Sequence, residues 1–504
     1  LDLADGAGHR GVLVLYRGVL NVERRKQLRL DLIKRKQAML VIDEAALAFA
    51  IADPSDRRRA IIDIAQAYSS ADPYKDHGKS AVPAEMFKGR SWERSAIVDP
   101  FGSYVVFGGR RLGKTALLQQ IHATQPSNAI FAYVDLDLVS DASDAFEQFS
   151  KTIGTGVFKT PARSGEEFAT AVGGWLDADD RRRLLLLIDE ADRFVRKEAE
   201  TEFVCVQTLL KLMADTKNRF KFVLAGLHNV SRMVRVENSP LVQISNNPLQ
   251  IGPLLNRDVD DAEFLVRGPL AAMGFEFDKR EDVWRILTFT NYYPVLIQVF
   301  CKELLSLIHD QAQKTGQLPG IIGTTLVERA LRSADIRNKL FETFYKTIGH
   351  IEGRYELLSY ILAVRELRER DSGMAAEGMT AAEVTERAME CWPAAFPRGT
   401  DPNELEYLLE EMEGFGIARR TVAGSFALRS RSLLELMAAT EADLERRLES
   451  YKTLKAPPRA FDPKNVRRAI GKPRSAAGGG DRISPLTDGQ EADLLAPLQI
   501  ATDH

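Results

Sequence analysis

Three cysteines in 504 residues, Cys205, Cys301 and Cys391, are too few and too scattered for a disulfide framework or a metal-ligand cluster. They read as buried free thiols of a reducing compartment. An excess of one charge is missing too: 68 Lys and Arg stand against 71 Asp and Glu, a net charge of −3. That removes the whole-chain basic signature of polyanion binders and leaves only local patches. No apolar run approaches the ~18 residues that span a bilayer, and no signal peptide opens the chain. A cytoplasmic protein without membrane contact is expected. No period of about 20–50 residues recurs, which argues against solenoids and propellers. The apolar fraction of 45% is ordinary for a globular protein, and the length suits roughly three domains at ~150 residues each. The chain opens on Leu1, and its last fifty or so residues, rich in Pro, Gly and charge, read as a linker. A piece of a longer protein, with its output domain elsewhere, is the expectation.

Against these absences stands one dense motif, Gly108-Gly109-Arg110-Arg111-Leu112-Gly113-Lys114-Thr115, which fits G-x-x-x-x-G-K-[ST]. The apolar run from Tyr104 to Phe107 precedes it, and a helical pattern opening at Ala116 follows. A phosphate-binding loop needs that strand-to-helix context. Its glycines let backbone N–H groups converge on an anion, and the helix N-terminus adds partial positive charge. Lys114 can reach the terminal phosphates of ATP or ADP, and the Thr115 hydroxyl can ligate Mg²⁺. Arg110 and Arg111 belong to the nucleotide-binding loop, with side chains expected to serve structure or a partner rather than catalysis.

The continuous apolar run Leu184 to Ile188 reads as a central strand of a covered parallel sheet. It closes on Asp189-Glu190, 75 residues after Lys114. Asp189 would hold Mg²⁺ through water, and Glu190 would orient and deprotonate the water attacking the γ-phosphate. An earlier string, Ile42-Asp43-Glu44-Ala45, has the same look but precedes the loop, so it reads as an ordinary strand end. The strand from Phe220 to Gly226 leads to His228 and Asn229, candidates for a polar group that senses the γ-phosphate.

The alternation of strands and helices predicts an α/β fold, a P-loop NTPase parallel sheet with helices on both faces. Five segments are expected. Residues 1–70 form a small α/β element with a basic helix from Val22 to Gln37, 84–255 the ATPase core, 256–345 a helical bundle, 350–451 a winged helix, and 455–504 a flexible tail. Within the core, a strand is expected from Ala129 to Leu138 and a helix from Glu200 to Asp215. Three helices and a hairpin around Val422-Ala423-Gly424 give the winged-helix order.

The set Phe87-x-Gly89-Arg90-x-x-Glu93, the loop, the Asp189-Glu190 motif and the strand into Leu227-His228-Asn229 resembles the STAND branch of P-loop ATPases, neighbours of the AAA+ and origin-recognition ATPases. The resemblance covers about residues 84 to 440. It implies an ATP-operated switch of bacterial signalling or defence type, with self-association or fused effector domains as partners. It also implies that Pro294, in Asn291-Tyr292-Tyr293-Pro294, faces the nucleotide base. Tyr292 and Tyr293 stand where that family often carries small residues.

The alternative is a DNA-binding initiator-like ATPase that reads a duplex with its winged helix. Glu404, Glu406, Glu410, Glu411 and Glu413 load the third helix of that unit, and no Lys or Arg lies between Asn403 and Gly414. Carboxylates against phosphates repel, and guanine would lack its usual donors. Arg419, Arg420, Arg429 and Arg431 on and beside the hairpin leave non-specific backbone contact open. An intramolecular packing role is favoured. No arginine finger is identifiable in cis, so hydrolysis is expected to be weak in the isolated monomer.

Overall fold

The computed structural model describes residues 2–3, 11–35, 39–52, 73–74, 82–83, 86–102, 104–137, 139, 141–227, 240–244, 248–318, 320–348, 353–371, 377–400, 402–437 and 440–455. At the N-terminal end, β1 (Asp2–Leu3) pairs antiparallel with β2 (Gly11–Tyr16), and β2 pairs parallel with β3 (Met39–Asp43) across the crossover helix α1 (Val22–Arg35). Helix α2 (Glu44–Ala52) follows at once. Asp43 at this junction accepts from Leu20 N at 2.8 Å and Ala46 N at 2.9 Å and pairs with the Arg25 guanidinium. Its carboxylate is therefore occupied in holding the strand end and capping α2. From α1, Arg29 donates to the Met273 carbonyl and lies over the Phe275 ring at 4.5 Å, which docks the N-terminal element on the helical region further along the chain.

Helix α3 (Ser91–Val98) leads into β4 (Val105–Gly108), α4 (Lys114–Ala123), β5 (Ala129–Asp135), α5 (Ala142–Ile153) and α6 (Gly165–Asp177). The sheet continues with β6 (Arg183–Asp189), α7 (Ala191–Glu198), α8 (Val204–Asp215), β7 (Phe220–Gly226) and β8 (Leu249–Ile251). All five strands, β4 to β8, are parallel, in the order β5-β6-β7-β4-β8. Every residue of β6 after Arg183 is buried because alternate side chains serve two cores. Leu184, Leu186 and Ile188 pack with Phe146, Phe168 and Phe222 on one face, and Leu185 and Leu187 with Leu117 and Leu118 on the other.

Two expected boundaries move. β5 stops at Asp135, where the Asp135 carboxylate accepts from Asp137 N at 2.9 Å and turns the chain. The helix expected from Glu200 starts only at Val204, because the Glu198 carboxylate accepts from Cys205 N at 2.8 Å and Val206 N at 3.1 Å, and Glu202 and Phe203 take positive φ. A buried side-chain cap sets the start against the propensity of the preceding residues.

Beyond the sheet come α9 (Val259–Ala272), β9 (Glu276–Phe277), α10 (Arg280–Phe289), α11 (Pro294–Thr315), β10 (Ile321–Ile322), α12 (Thr324–Arg332) and α13 (Ala334–Ile348). Then follow α14 (Gly353–Asp371), α15 (Ala381–Cys391), α16 (Pro402–Gly414), the antiparallel pair β11 (Ala418–Arg420) and β12 (Phe426–Leu428), α17 (Arg431–Met437) and α18 (Glu441–Ser450). Met379 bridges antiparallel to Phe426 beside that hairpin. One hydrophobic core runs without interruption from Leu117 and Leu187 through Leu296 and Phe344 to Leu409 and Leu434. All three cysteines are free and buried. No described helix is long and apolar enough to cross a membrane.

Candidate functional site

Lys114 is the first residue of α4, so the N-terminus of that helix faces the loop between β4 and α4. Gly113 caps it at φ 96°, with nothing within 4 Å of where a Cβ would stand, so the backbone angle and not space requires glycine there. Gly108 is the converse case. A Cβ on it would overlap the Ile251 carbonyl of the adjacent strand β8. The buried Lys114 ammonium donates to Gly108 O at 2.8 Å and Gly109 O at 2.9 Å, which holds it inside the loop. Burial lowers its pKa, and the carboxylates of Asp189, Glu190 and Asp192 oppose that fall.

β6 delivers the buried Asp189, whose Oδ1 accepts from Glu190 N at 3.0 Å and whose Oδ2 accepts from the Tyr133 hydroxyl at 3.0 Å. Glu190 takes the left-handed conformation, φ 50° and ψ 38°, an uncommon one for a non-glycine residue. Burial raises its pKa, the charge of Asp189 raises it further, and Lys114 pulls it down. A carboxyl raised in this way is a better proton acceptor than an ordinary glutamate. Asp192 accepts from Leu227 N and so ties the acidic segment to the end of β7. His228 and Asn229, the candidate sensors, lie outside the described residues.

Lys114, Tyr133, Asp189 and Glu190 border one cleft of about 770 Å³, within the usual size of a small-ligand site. Arg110, Arg111, Leu112, Gly113, Lys114, Thr115 and Ala116 line its floor, with Asp189 and Glu190 beside them. Arg110 and Arg111 thus border the cleft with the rest of the loop. Val82, Met86, Phe87 and Leu254 form an apolar wall. From α11, Pro294, Val295, Gln298, Val299 and Lys302 face it, and α13 adds Lys339, Glu342 and Thr343. The structure thus brings Pro294 to the same cleft as the loop. Mg²⁺ takes hard oxygen ligands and keeps several waters. The Thr115 hydroxyl and the Asp189 carboxylate on the same cleft fit that demand.

Two features were not legible as site residues. Arg90 is buried at φ 68° and donates to Leu112 O at 3.4 Å and to Gly252 O, while its Nη1 pairs with Glu93 at 3.2 Å. It fastens the Phe87 segment to the phosphate loop; the Phe87-x-Gly89-Arg90-x-x-Glu93 pattern did not show which partners Arg90 meets. The second feature is the run Asn291-Tyr292, with φ 49° and 58°, the left-handed backbone that favours glycine. The Asn291 and Tyr293 side chains tie this turn to the chain after α16: Asn291 Nδ2 donates to Gly416 O at 2.8 Å and the Tyr293 hydroxyl to Phe415 O, while Leu254 N donates to the Tyr292 backbone carbonyl at 2.9 Å.

Residues 99–234 match the family described as AAA domain. No curated protein matches the chain. Among solved structures, it is similar to the Walker-type ATPase PABY2304 of Pyrococcus abyssi at 13% identity, over 71% of this chain and 97% of that one, with a TM-score of 0.45. It is also similar to the Aeropyrum pernix ORC2 protein in its ADPNP-ADP complexes, at 13% identity over 75% and 96% of the chains and a TM-score of 0.44. The Aeropyrum pernix ORC1 protein in complex with DNA shares 15% identity over 72% and 94%, with a TM-score of 0.29. The segment 99–234 is thus a P-loop ATPase domain of the AAA type.

Proposed function

We propose that this chain is a slowly hydrolysing ATP switch of signalling or defence type, whose nucleotide governs how its ATPase core, helical bundle and winged helix pack, and through that packing its self-association. One observation carries the reading. The loop with Lys114 and Thr115, the pair Asp189-Glu190, and faces of α11 and α13 from outside the sheet all line a single cleft. A ligand there touches the sheet and the bundle together, so its phosphates can bias their arrangement.

In this scheme Lys114 and the N-terminus of α4 bind the β- and γ-phosphates, the apolar wall with Pro294 receives the base, and Thr115 and Asp189 hold Mg²⁺. The ion, when bound, neutralises charge on the phosphate oxygens. Glu190 takes the proton of the attacking water, aided by its raised pKa. Within the described part of the cleft, the basic groups acting on Glu190 are Lys114 and Arg110. An arginine from a second copy would supply the remaining charge, so the lone monomer hydrolyses slowly.

The elements from α14 to β12, with Met379 bridging to Phe426, support the winged-helix reading. Arg420 is paired with Glu406 at 3.2 Å and Glu410 at 3.1 Å, and it lies over the Phe426 ring. The acidic helix therefore engages the hairpin's own cation, which favours packing over duplex reading.

Binding of a fluorescent ATP analogue to the full chain tests the site. Lys114→Ala should abolish binding, and Glu190→Gln should keep it while hydrolysis drops roughly 100-fold or more. Unchanged affinity in Lys114→Ala would sink the assignment.

A further inference from the structure

Tyr133 lies two residues before the end of β5. The parallel register of β5 with β6 sets Asp135 beside Asp189 and Tyr133 beside Leu187. Side chains two apart on a strand share a face, so Tyr133 and Asp189 project to the same side, one step apart in register. The Tyr133 hydroxyl donates to Asp189 Oδ2 at 3.0 Å. The phenol's one proton goes to that carboxylate. Gln119, Tyr133 and Asp189 all border the cleft.

Asp189 is thereby held at both oxygens, by Glu190 N and by Tyr133. Its rotation is fixed, and its remaining lone pairs serve the cleft. We propose that Tyr133 is a positioning residue for the Mg²⁺ site: it orients the Asp189 carboxylate. The inference rests on the reading of the cleft as a Mg²⁺-nucleotide site. Outer-shell partners of ligating carboxylates commonly contribute 10–100-fold to metal affinity.

The test titrates Mg²⁺ into the full chain with mant-ADP and reads fluorescence, beginning from EDTA. Tyr133→Phe keeps the ring and removes the donor; Tyr133→Met keeps an apolar side chain and removes ring and donor together. Expected for Tyr133→Phe is an unchanged Kd in EDTA and a roughly 10-fold higher Mg²⁺ concentration for half of the Mg²⁺-dependent tightening. Tyr133→Met should shift it in the same direction by at least that factor. If Tyr133→Phe fails to fold, Tyr133→Met decides by the same readout. Mg²⁺ titrations superimposable on a Mg²⁺-dependent wild type overturn the proposal, as does an equal loss of affinity with and without Mg²⁺. A wild type that binds no mant-ADP overturns the nucleotide reading itself, a result distinct from either of those.

Discussion

Replacing Gly416 with Ala should destabilise the protein more than the same change at Gly424, and the difference measures how tightly the turn between α16 and β11 is seated. Both glycines have left-handed backbones, φ 75° and 83°. An alanine there costs ~1–2 kcal/mol from its Cβ alone. At Gly424, in the hairpin turn, nothing lies within 4 Å of the new atom, so the cost ends there. At Gly416 the new Cβ would overlap the Pro253 ring, a side chain with no rotamer to escape into. Overpacking of that kind adds ~1–3 kcal/mol. Gly416 also accepts the Asn291 hydrogen bond at 2.8 Å, so relief by backbone movement would lengthen that bond. Urea unfolding of the two variants in parallel should place Gly416→Ala below Gly424→Ala by ~1–3 kcal/mol. Hydrogen exchange over 402–429 should quicken only in the former. Equal losses in both variants would refute the claim that Pro253 and Gly416 form a close-packed joint.

His309 Nε2 is buried without a hydrogen-bond partner, and burial together with the Arg29 guanidinium pushes its pKa down to about 4. The native state then binds fewer protons than the unfolded state between about pH 4 and 6.5, so stability is complete above pH 6.5 and lost as pH falls toward 4; the loss is about 3 kcal/mol. Urea midpoints against pH should show this acid slope weakened in His309→Gln, and identical slopes would count against it. Lys221, on β7, donates to Ile97 O at 2.7 Å and to Asp99 O, and burial pushes its pKa down to about 7. The sign is again that of a depressed pKa: stability rises with pH from about 7 toward 10.5. Lys221→Met should flatten the midpoint between pH 7 and 9, and an unaltered rise in the variant would assign the dependence to other groups.

The phosphate loop and the acidic pair were legible because their chemistry constrains neighbouring positions in one short stretch. The strand Leu184 to Ile188 was legible for a related reason: a strand covered on both faces must be apolar throughout. Asp43-Glu44 has the same local look as Asp189-Glu190, and only its position before the loop argued against it; the structure shows the Asp43 carboxylate occupied by Arg25 and two backbone N–H groups. The roles of Arg90 and Tyr133 escaped because each acts across the fold, on Leu112 and Asp189, and a single sequence does not encode which distant partner a polar side chain meets. The late start of α8 escaped likewise, since Glu198 looks helical until its buried carboxylate is seen capping the next helix.

The run from Asn291 to Pro294 joins these observations mechanically. Pro294 borders the cleft as the first residue of α11, and its fixed φ leaves little freedom where a ligand would press. One residue earlier, Tyr293 is fully buried and bonded to Phe415 O; two residues before that, Asn291 is bonded to Gly416 O. Tyr292 between them accepts from Leu254 N, which follows Pro253. Movement of α11 would therefore not be absorbed locally, because each preceding residue is already fastened to the segment after β8 or to the loop after α16. It must either be resisted by the joint or open it. A joint closed by the backbones of Gly252 and Gly414, with a Cβ on the first only 2.6 Å from the carbonyl of the second, leaves little room for the two segments to slide past each other.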